Sequence, residues 1–368
     1  MTLRIAILGT RGIPNRYGGF EQVAGYLSEG LTRRGHEVTV YSPHSHPYQD
    51  AQWKGVRITH CYDPEKILGT AGQFIYDLNC IRHARKQKFD VWLIMGYTSS
   101  SVWWWLYPSF GTTIVNMDGL EWKRSKYSPW VRRFLEYAEK LAAEHTRFHI
   151  ADAPSIQRYL FDKYGIQSRY IPYGAERVEA SIHVFPWKGV MAKGYCLLMA
   201  RMEPENNIEM VLEGFRNSSC EKEMIILGNT GNRFGSYLVK KYGNDTRVRF
   251  AGTIYDKEMV QFLQENAFLY FHGHSVGGTN PSLLEAMASG SLVAAHDNPF
   301  NRDVLGANAL YFSHSDEVRQ ILQQEHGTAQ EREMIAHNQQ RIREEYNWEK
   351  IIDSYNTFIM ESHKQEKE

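Results

Sequence analysis

Short apolar runs recur along the chain, separated by longer stretches whose apolar residues fall three and four positions apart. Residues 3–8 form the first run. A Gly-rich turn follows, then a helix-like stretch over 20–34 closed by Gly35, then Glu37-Val-Thr-Val-Tyr41. Strand, loop, helix and strand in that order open a doubly wound α/β domain. The pattern predicts further strands at 56–60, 91–95, 112–116 and 148–151, alternating with helices at 72–88 and 130–145. Such alternation implies a mostly parallel sheet covered by helices on both faces. Pro172, Gly174, Pro186 and Gly189 break the pattern around residues 175–192, which reads as a linker. A second series follows, with strands at 195–199, 223–227, 248–250, 268–271 and 292–295 and helices at 207–215, 257–264 and 281–289. From Thr328 on the chain is charged, lacks Gly and Pro, and reads as helix. The expected domains are 1–178 and 190–345, with a terminal helix at 346–368 packing back on the first.

The chain has 368 residues, 42% apolar and 23% charged, enough for two cores of ordinary composition. The longest apolar run, residues 102–107, is far shorter than the ~18 residues of a membrane span. The first residues carry no apolar h-region or cleavage site of a signal peptide, and Cys61, Cys80, Cys196 and Cys220 are too dispersed for a CxxC pair. A cytoplasmic protein with reduced thiols is expected. Net charge is zero, from 42 basic and 42 acidic residues, which argues against nucleic acid as a partner. Residues 1–180 hold 23 basic and 17 acidic side chains, and the remainder 19 and 25. The first half is therefore the one suited to an anionic partner or membrane surface, unless the asymmetry is chance scatter.

Five segments carry candidate chemistry. Gly9-Thr-Arg-Gly-Ile-Pro-Asn-Arg-Tyr-Gly-Gly-Phe-Glu21 joins the first strand to the first helix, where glycines admit a close ligand and helix amides suit phosphate. It is not GxGxxG, and Tyr41-Ser42-Pro43 stands where a dinucleotide site needs an acid. A ligand-free loop is the alternative. Asp118, in Asn116-Met-Asp-Gly119, follows an apolar strand, where a carboxylate could hold or accept a proton from a hydroxyl; an Asp-Gly turn is the alternative. The segment from Trp122 to Phe134 interleaves Lys and Arg with aromatics, and Trp103-Trp104-Trp105 lies nearby. It reads either as a membrane-facing surface or as a solvated helix face.

In the second half, Arg201 follows the first strand and is placed to hold a diphosphate, or else is a surface loop residue. The strongest signal is His272-Gly-His-Ser-Val-Gly-Gly-Thr-Asn-Pro-Ser-Leu-Leu-Glu285. Asn280 is a natural N-cap and Pro281 a natural first helical residue. The Gly277-Gly278-Thr279 turn leads into amides able to bind anionic oxygen, and Glu285, one turn in, suits a ribose diol. His272 and His274 lack companion ligands, so no metal site is expected.

Together the helix with Glu285, the Arg201 loop, the Gly18-Gly19 loop and the terminal Asn347-Trp-Glu-Lys350 resemble glycosyltransferase family 4. The segments 9–21 and Asp118-Gly-Leu-Glu-Trp-Lys-Arg124 resemble its branch containing rhamnosyltransferases of bacterial capsule and exopolysaccharide assembly. The resemblance implies a GT-B fold, two Rossmann-like domains facing a central cleft, and retention at the anomeric carbon. Of the family's E-x7-E pair, Glu285 matches the second member and Gly277 stands at the first. Of its Arg-x4-Lys pair, Arg201 matches and Asn206 replaces Lys. Asp118 stands where many members carry His.

The expected protein moves a sugar, rhamnose from a dTDP donor being the best single choice, from a nucleoside-diphosphate sugar to a lipid-diphosphate-linked saccharide. It does so without metal or cofactor, as a cytoplasmic or peripheral membrane enzyme. Asp118 and Glu285 are the expected catalytic residues. The resemblance assigns Gly18, Gly19, Arg201, Asn206, His274, Gly277, Gly278, Thr279, Asn280, Leu284 and Glu285 to the donor, and Arg16 and Tyr17 to the acceptor. A nucleotide-sugar epimerase and a non-catalytic nucleotide-sugar-binding subunit are the alternatives.

Overall fold

The computed structural model describes residues 1–15, 18–109, 111–117, 119–177 and 181–368. The chain divides into two units. The first comprises Met1–Lys123, Tyr127–Tyr173 and Trp348–Glu368, and the second Arg124–Lys126 and Gly174–Asn347.

The strands of the first unit are β1 (Arg4–Leu8), β2 (Glu37–Pro43), β3 (Gln52–Trp53), β4 (Val56–Cys61), β5 (Val91–Met95), β6 (Thr112–Asn116), β7 (Phe148–Ala151) and β8 (Arg169–Tyr170). Its helices are α1 (Gly19–Arg33), α2 (Glu65–Leu68), α3 (Gly72–Ala84), α4 (Pro129–His145) and α5 (Pro154–Tyr164). The sheet order is β3-β4-β2-β1-β5-β6-β7-β8, parallel except at the short β3–β4 edge. All five residues of β5 and the last four of β1 are buried, as expected of central strands covered on both faces. The chain winds outward from β1 through β2, then returns to β5 on the other side of β1. The carboxyl ends of β1 and β5 therefore flank the topological switch point, where open α/β sheets leave a crevice.

The second unit has β9 (Tyr195–Met199), β10 (Glu223–Leu227), β11 (Val248–Gly252), β12 (Leu269–His272), β13 (Val293–His296) and β14 (Leu310–Phe312), in the parallel order β11-β10-β9-β12-β13-β14. Its helices are α6 (Ile208–Arg216), α7 (Arg233–Tyr242), α8 (Lys257–Asn266), α9 (Pro281–Ala288), α10 (Pro299–Leu305), α11 (Ser315–Gln323) and α12 (Ala329–Glu344). Here the switch point lies between β9 and β12, which pair through Leu198 and Phe271.

The terminal helix α13 (Trp348–Lys367) belongs to the first unit. Trp348, Ile351, Ile352, Tyr355 and Ile359 recur at helical spacing and are buried. Trp348 stacks on Tyr26 of α1 with centroids 4.2 Å apart, and Arg34 bonds Asp353 at 2.6 Å. Gly30 makes the approach possible, since a Cβ there would sit 2.6 Å from Ile352 Cδ1.

The helix expected over 72–88 ends at Ala84, because Arg85-Lys-Gln-Lys88 has no apolar side to bury. The strands β3, β8 and β14 were not expected: two or three residues carry no readable alternation. The helices α2, α5, α7, α10 and α11 were also not expected.

Candidate functional site

The second unit's switch point brings together the Arg201 loop and the His272–Asn280 segment, because one leaves β9 and the other leaves β12. Backbone and short polar side chains stitch them. Asn207 donates to Gly273 O at 2.8 Å, and both Ser275 N and Ser275 Oγ donate to Glu205 O, at 3.1 and 2.8 Å. A Cβ on residue 273 would lie 2.1 Å from Asn206 O, so only glycine permits this contact. Asn206 is buried, and its amide donates to Arg201 O at 2.8 Å. It braces the loop that presents Arg201, whose side chain is exposed.

The side chain of Glu205 is 2% exposed and accepts from Ser125 Oγ at 3.0 Å, while Arg124 lies 3.8 Å away. Arg124 therefore stands in this unit beside the Arg201 loop. Both guanidinium groups act on His274: burial first, then His272, Arg201 and Arg124, hold its pKa well below the usual imidazole range. His272 is fully buried and lowered to about 3, chiefly by burial. The two rings stack 4.4 Å apart and are neutral at physiological pH, so they add polarity without opposing an anion. Among the described residues no group of three His, Cys, Asp or Glu side chains is placed to share a metal ion.

Asn280 caps α9: its Oδ1 accepts from Ser282 N at 3.0 Å, with Pro281 first in the helix. Leu283 and Leu284 N donate to Asn280 O. The first helical amides are thus engaged by Asn280. Gly277 has φ +134, a conformation that favours glycine. Thr279 is buried, Leu284 is in the core, and Glu285 is half-buried one turn along.

In the first unit, Gly18 is the extended residue before α1, and Gly19 opens that helix. Glu21, the last residue of that loop motif, is buried and accepts from Arg11 N at 2.7 Å, bracing the loop from inside. Asp118, Arg16 and Tyr17 lie outside the described residues. Arg124 and Glu205 had no signal of their own, because their pairing joins positions 81 apart in sequence.

Residues 187–341 match the family described as glycosyl transferases group 1. The protein carries a glycosyltransferase group 1 domain. Residues 2–176 match a domain of unknown function, DUF1972. This glycosyltransferase is similar in fold to sucrose-phosphate synthase from Thermosynechococcus elongatus (TM-score 0.79, 18% identity, 98% of each chain covered). It is also similar to HepE of Anabaena in complex with UDP-glucose (0.72, 16%, covering 99% of this chain and 100% of that one). The catalytic domain of starch synthase IV from Arabidopsis thaliana, bound to ADP and acarbose, is a third (0.73, 11%, 99% and 100%). No curated protein sequence matches the glycosyltransferase significantly. Two Rossmann-like domains with parallel sheets place it in the GT-B class. The protein is an enzyme.

Proposed function

We propose that this glycosyltransferase is a retaining enzyme that takes a sugar, best read as rhamnose from dTDP-rhamnose, to a hydroxyl of a lipid-diphosphate-linked saccharide in cell-surface polysaccharide assembly. The observation that carries the donor half is the grouping of Arg201 and Arg124 about a neutral His274, beside the Gly277–Gly278 turn and Glu285. As the C1–O bond to the diphosphate breaks, negative charge builds on the leaving oxygen, and fixed cations and amides offset it. The acceptor oxygen attacks C1 on the same face, and its proton passes to the leaving diphosphate. The products are the glycoside and the nucleoside diphosphate. Arg124 supplies the second cation that Asn206, in place of Lys, does not. No metal is needed in this scheme. HepE and starch synthase IV, in their bound forms, hold UDP-glucose and ADP, which is consistent with a nucleotide-sugar donor here.

Thermal shift with dTDP, UDP, GDP and ADP sugars in EDTA tests the reading. A ligand at ~100 times its Kd adds ~2.7 kcal/mol of stability. Glu285→Ala is expected to weaken the bound nucleotide sugar by about 1.5–3 kcal/mol with an unchanged melting curve, as fits the loss of a charged acceptor for ribose. Unaltered affinity would remove Glu285 from the site, and binding only with added Mg²⁺ would reject the metal-free scheme.

The lipid-linked acceptor is supported by α4. Trp130 is 77% exposed, and Val131, Phe134 and Tyr137 are exposed beside Arg133 and Lys140. Apolar rings among basic side chains suit a headgroup interface carrying anionic lipid. No described helix is long and apolar enough to cross a membrane. Peripheral docking at the inner face of a membrane is part of this proposal. Trp130→Glu with Phe134→Glu is expected to cut co-sedimentation with phosphatidylglycerol vesicles by about tenfold or more, on the scale of ~1.4 kcal/mol per decade. Equal binding would free α4 of this role.

A further inference from the structure

The switch point of the first unit has a site of its own. Gly9 leaves β1 at φ +76, and a Cβ there would fall 2.6 Å from Met95 O, so the ends of β1 and β5 close tightly. Beyond them is a cavity of about 90 Å³, lined among others by Gly9, Phe20, Gln73, Asp77, Tyr97 and Ser99. A water occupies ~30 Å³ of liquid, so the cavity takes several hydroxyl-sized groups. Asp77, on α3, is 2% exposed. Its Oδ2 accepts from Ser99 Oγ at 2.6 Å, and its Oδ1 is buried without a hydrogen-bond partner. Buried acceptors left without a donor are rare and need a reason. Gln73 precedes Asp77 by one helical turn, on the same face. The rings of Phe20 and Tyr97 supply apolar wall, as sugar-binding sites need beside their polar groups.

We propose that this cavity is a sugar-hydroxyl site: a hydroxyl or hydroxymethyl arm of a saccharide enters it and donates its hydrogen to Asp77 Oδ1. The class of ligand rests on the glycosyltransferase reading above. The saccharide has two sources, the sugar being transferred and the acceptor. Burial raises the Asp77 pKa to about 7, despite the opposing Ser99 hydrogen bond and with Asp63 adding to the rise. A ligand donor supplies the missing partner of the ionised form.

The full chain decides the matter in two arms. Saturation-transfer NMR follows octyl glycosides of rhamnose, glucose and galactose, and titration calorimetry compares dTDP-rhamnose and UDP-glucose with bare dTDP and UDP. Asp77→Asn retains an acceptor for Ser99 and puts a donor at the cavity. It is expected to weaken a sugar-bearing ligand by about tenfold or more while bare nucleotides bind as before. Loss confined to octyl glycosides assigns the acceptor, and loss confined to nucleotide sugars assigns the transferred sugar. Gln73→Leu, at a half-buried position, gives the same reading should Asp77→Asn fail to fold. Sugar affinities unchanged within about twofold in both variants, or no sugar-dependent binding to the native chain, leave water as the occupant and overturn the proposal. Should bare nucleotides fail to bind the native chain, the donor reading falls, while the glycoside arm still tests the cavity.

Discussion

Glu139→Ala is expected to destabilise the first unit by about 3–5 kcal/mol, the scale for removing one partner from a buried charged network. The Glu139 carboxylate is 1% exposed and serves five donors. Oε1 accepts from Tyr159 and Tyr164 hydroxyls at 2.6 and 2.8 Å and from Lys163 at 3.2 Å. Oε2 accepts from Trp122 Nε1 at 3.2 Å and Tyr97 OH at 3.3 Å. Alanine would strand these donors and open a space among α4, α5 and the loop after β5. Glu139→Gln keeps the shape and one acceptor, so its loss should be smaller. Eight of the nine tryptophans lie in the first unit, so urea unfolding followed by intrinsic fluorescence reports on it. A shift below about 1 kcal/mol for the alanine variant would mean that water satisfies the donors, and the network would not be structural.

Asp77→Asn is expected to stabilise the first unit at pH 8 and to leave it unchanged near pH 3. Folded Asp77 holds its proton up to about pH 7, chiefly because burial disfavours the charge, whereas an aspartate in the unfolded chain loses it near 3.8. Between those two values the folded state binds more protons than the unfolded one, so stability falls as pH rises across the window. At ~1.36 kcal/mol per pKa unit, the full cost above pH 7 is about 4 kcal/mol. Asparagine does not titrate and escapes it. Fluorescence-monitored urea unfolding of both proteins at pH 3, 5, 7 and 8 measures the difference, which should widen with pH and level off above about 7. A gap independent of pH would show that Asp77 titrates alike in both states. A carboxyl kept at such a cost is what a site traded against stability looks like.

The two-sheet architecture was legible because central parallel strands read as unbroken apolar runs, such as Val91–Met95, whatever packs around them. Asn280-Pro281 announced α9 for a local reason: a side chain that accepts from the helix's own amide, next to a residue without one. The spacing of the sequence places Arg201 and His274 at separate strand ends; only the family resemblance groups them, and the order β9-β12 makes their loops neighbours. Asn206 reads as a ligand contact, but the bond its amide donates to the Arg201 carbonyl depends on the turn from Pro204 to Asn206 and has no sign in the sequence. Asp77 gave no sign in the sequence. A lone Asp amid the mixed residues of α3 is indistinguishable from a surface position until β1 and β5 close over it.

The docking of α13 on α1 has a consequence for how the molecule is made. Residues that complete the first unit are joined to the chain only after every residue of the second has been synthesised. On the ribosome, the second unit can finish folding while α1 still exposes the groove around Gly30 that Ile352 will fill. A nascent chain in that state shows apolar surface that chaperones recognise and proteases exploit. A frameshift late in the coding sequence would therefore injure the end of the protein made first.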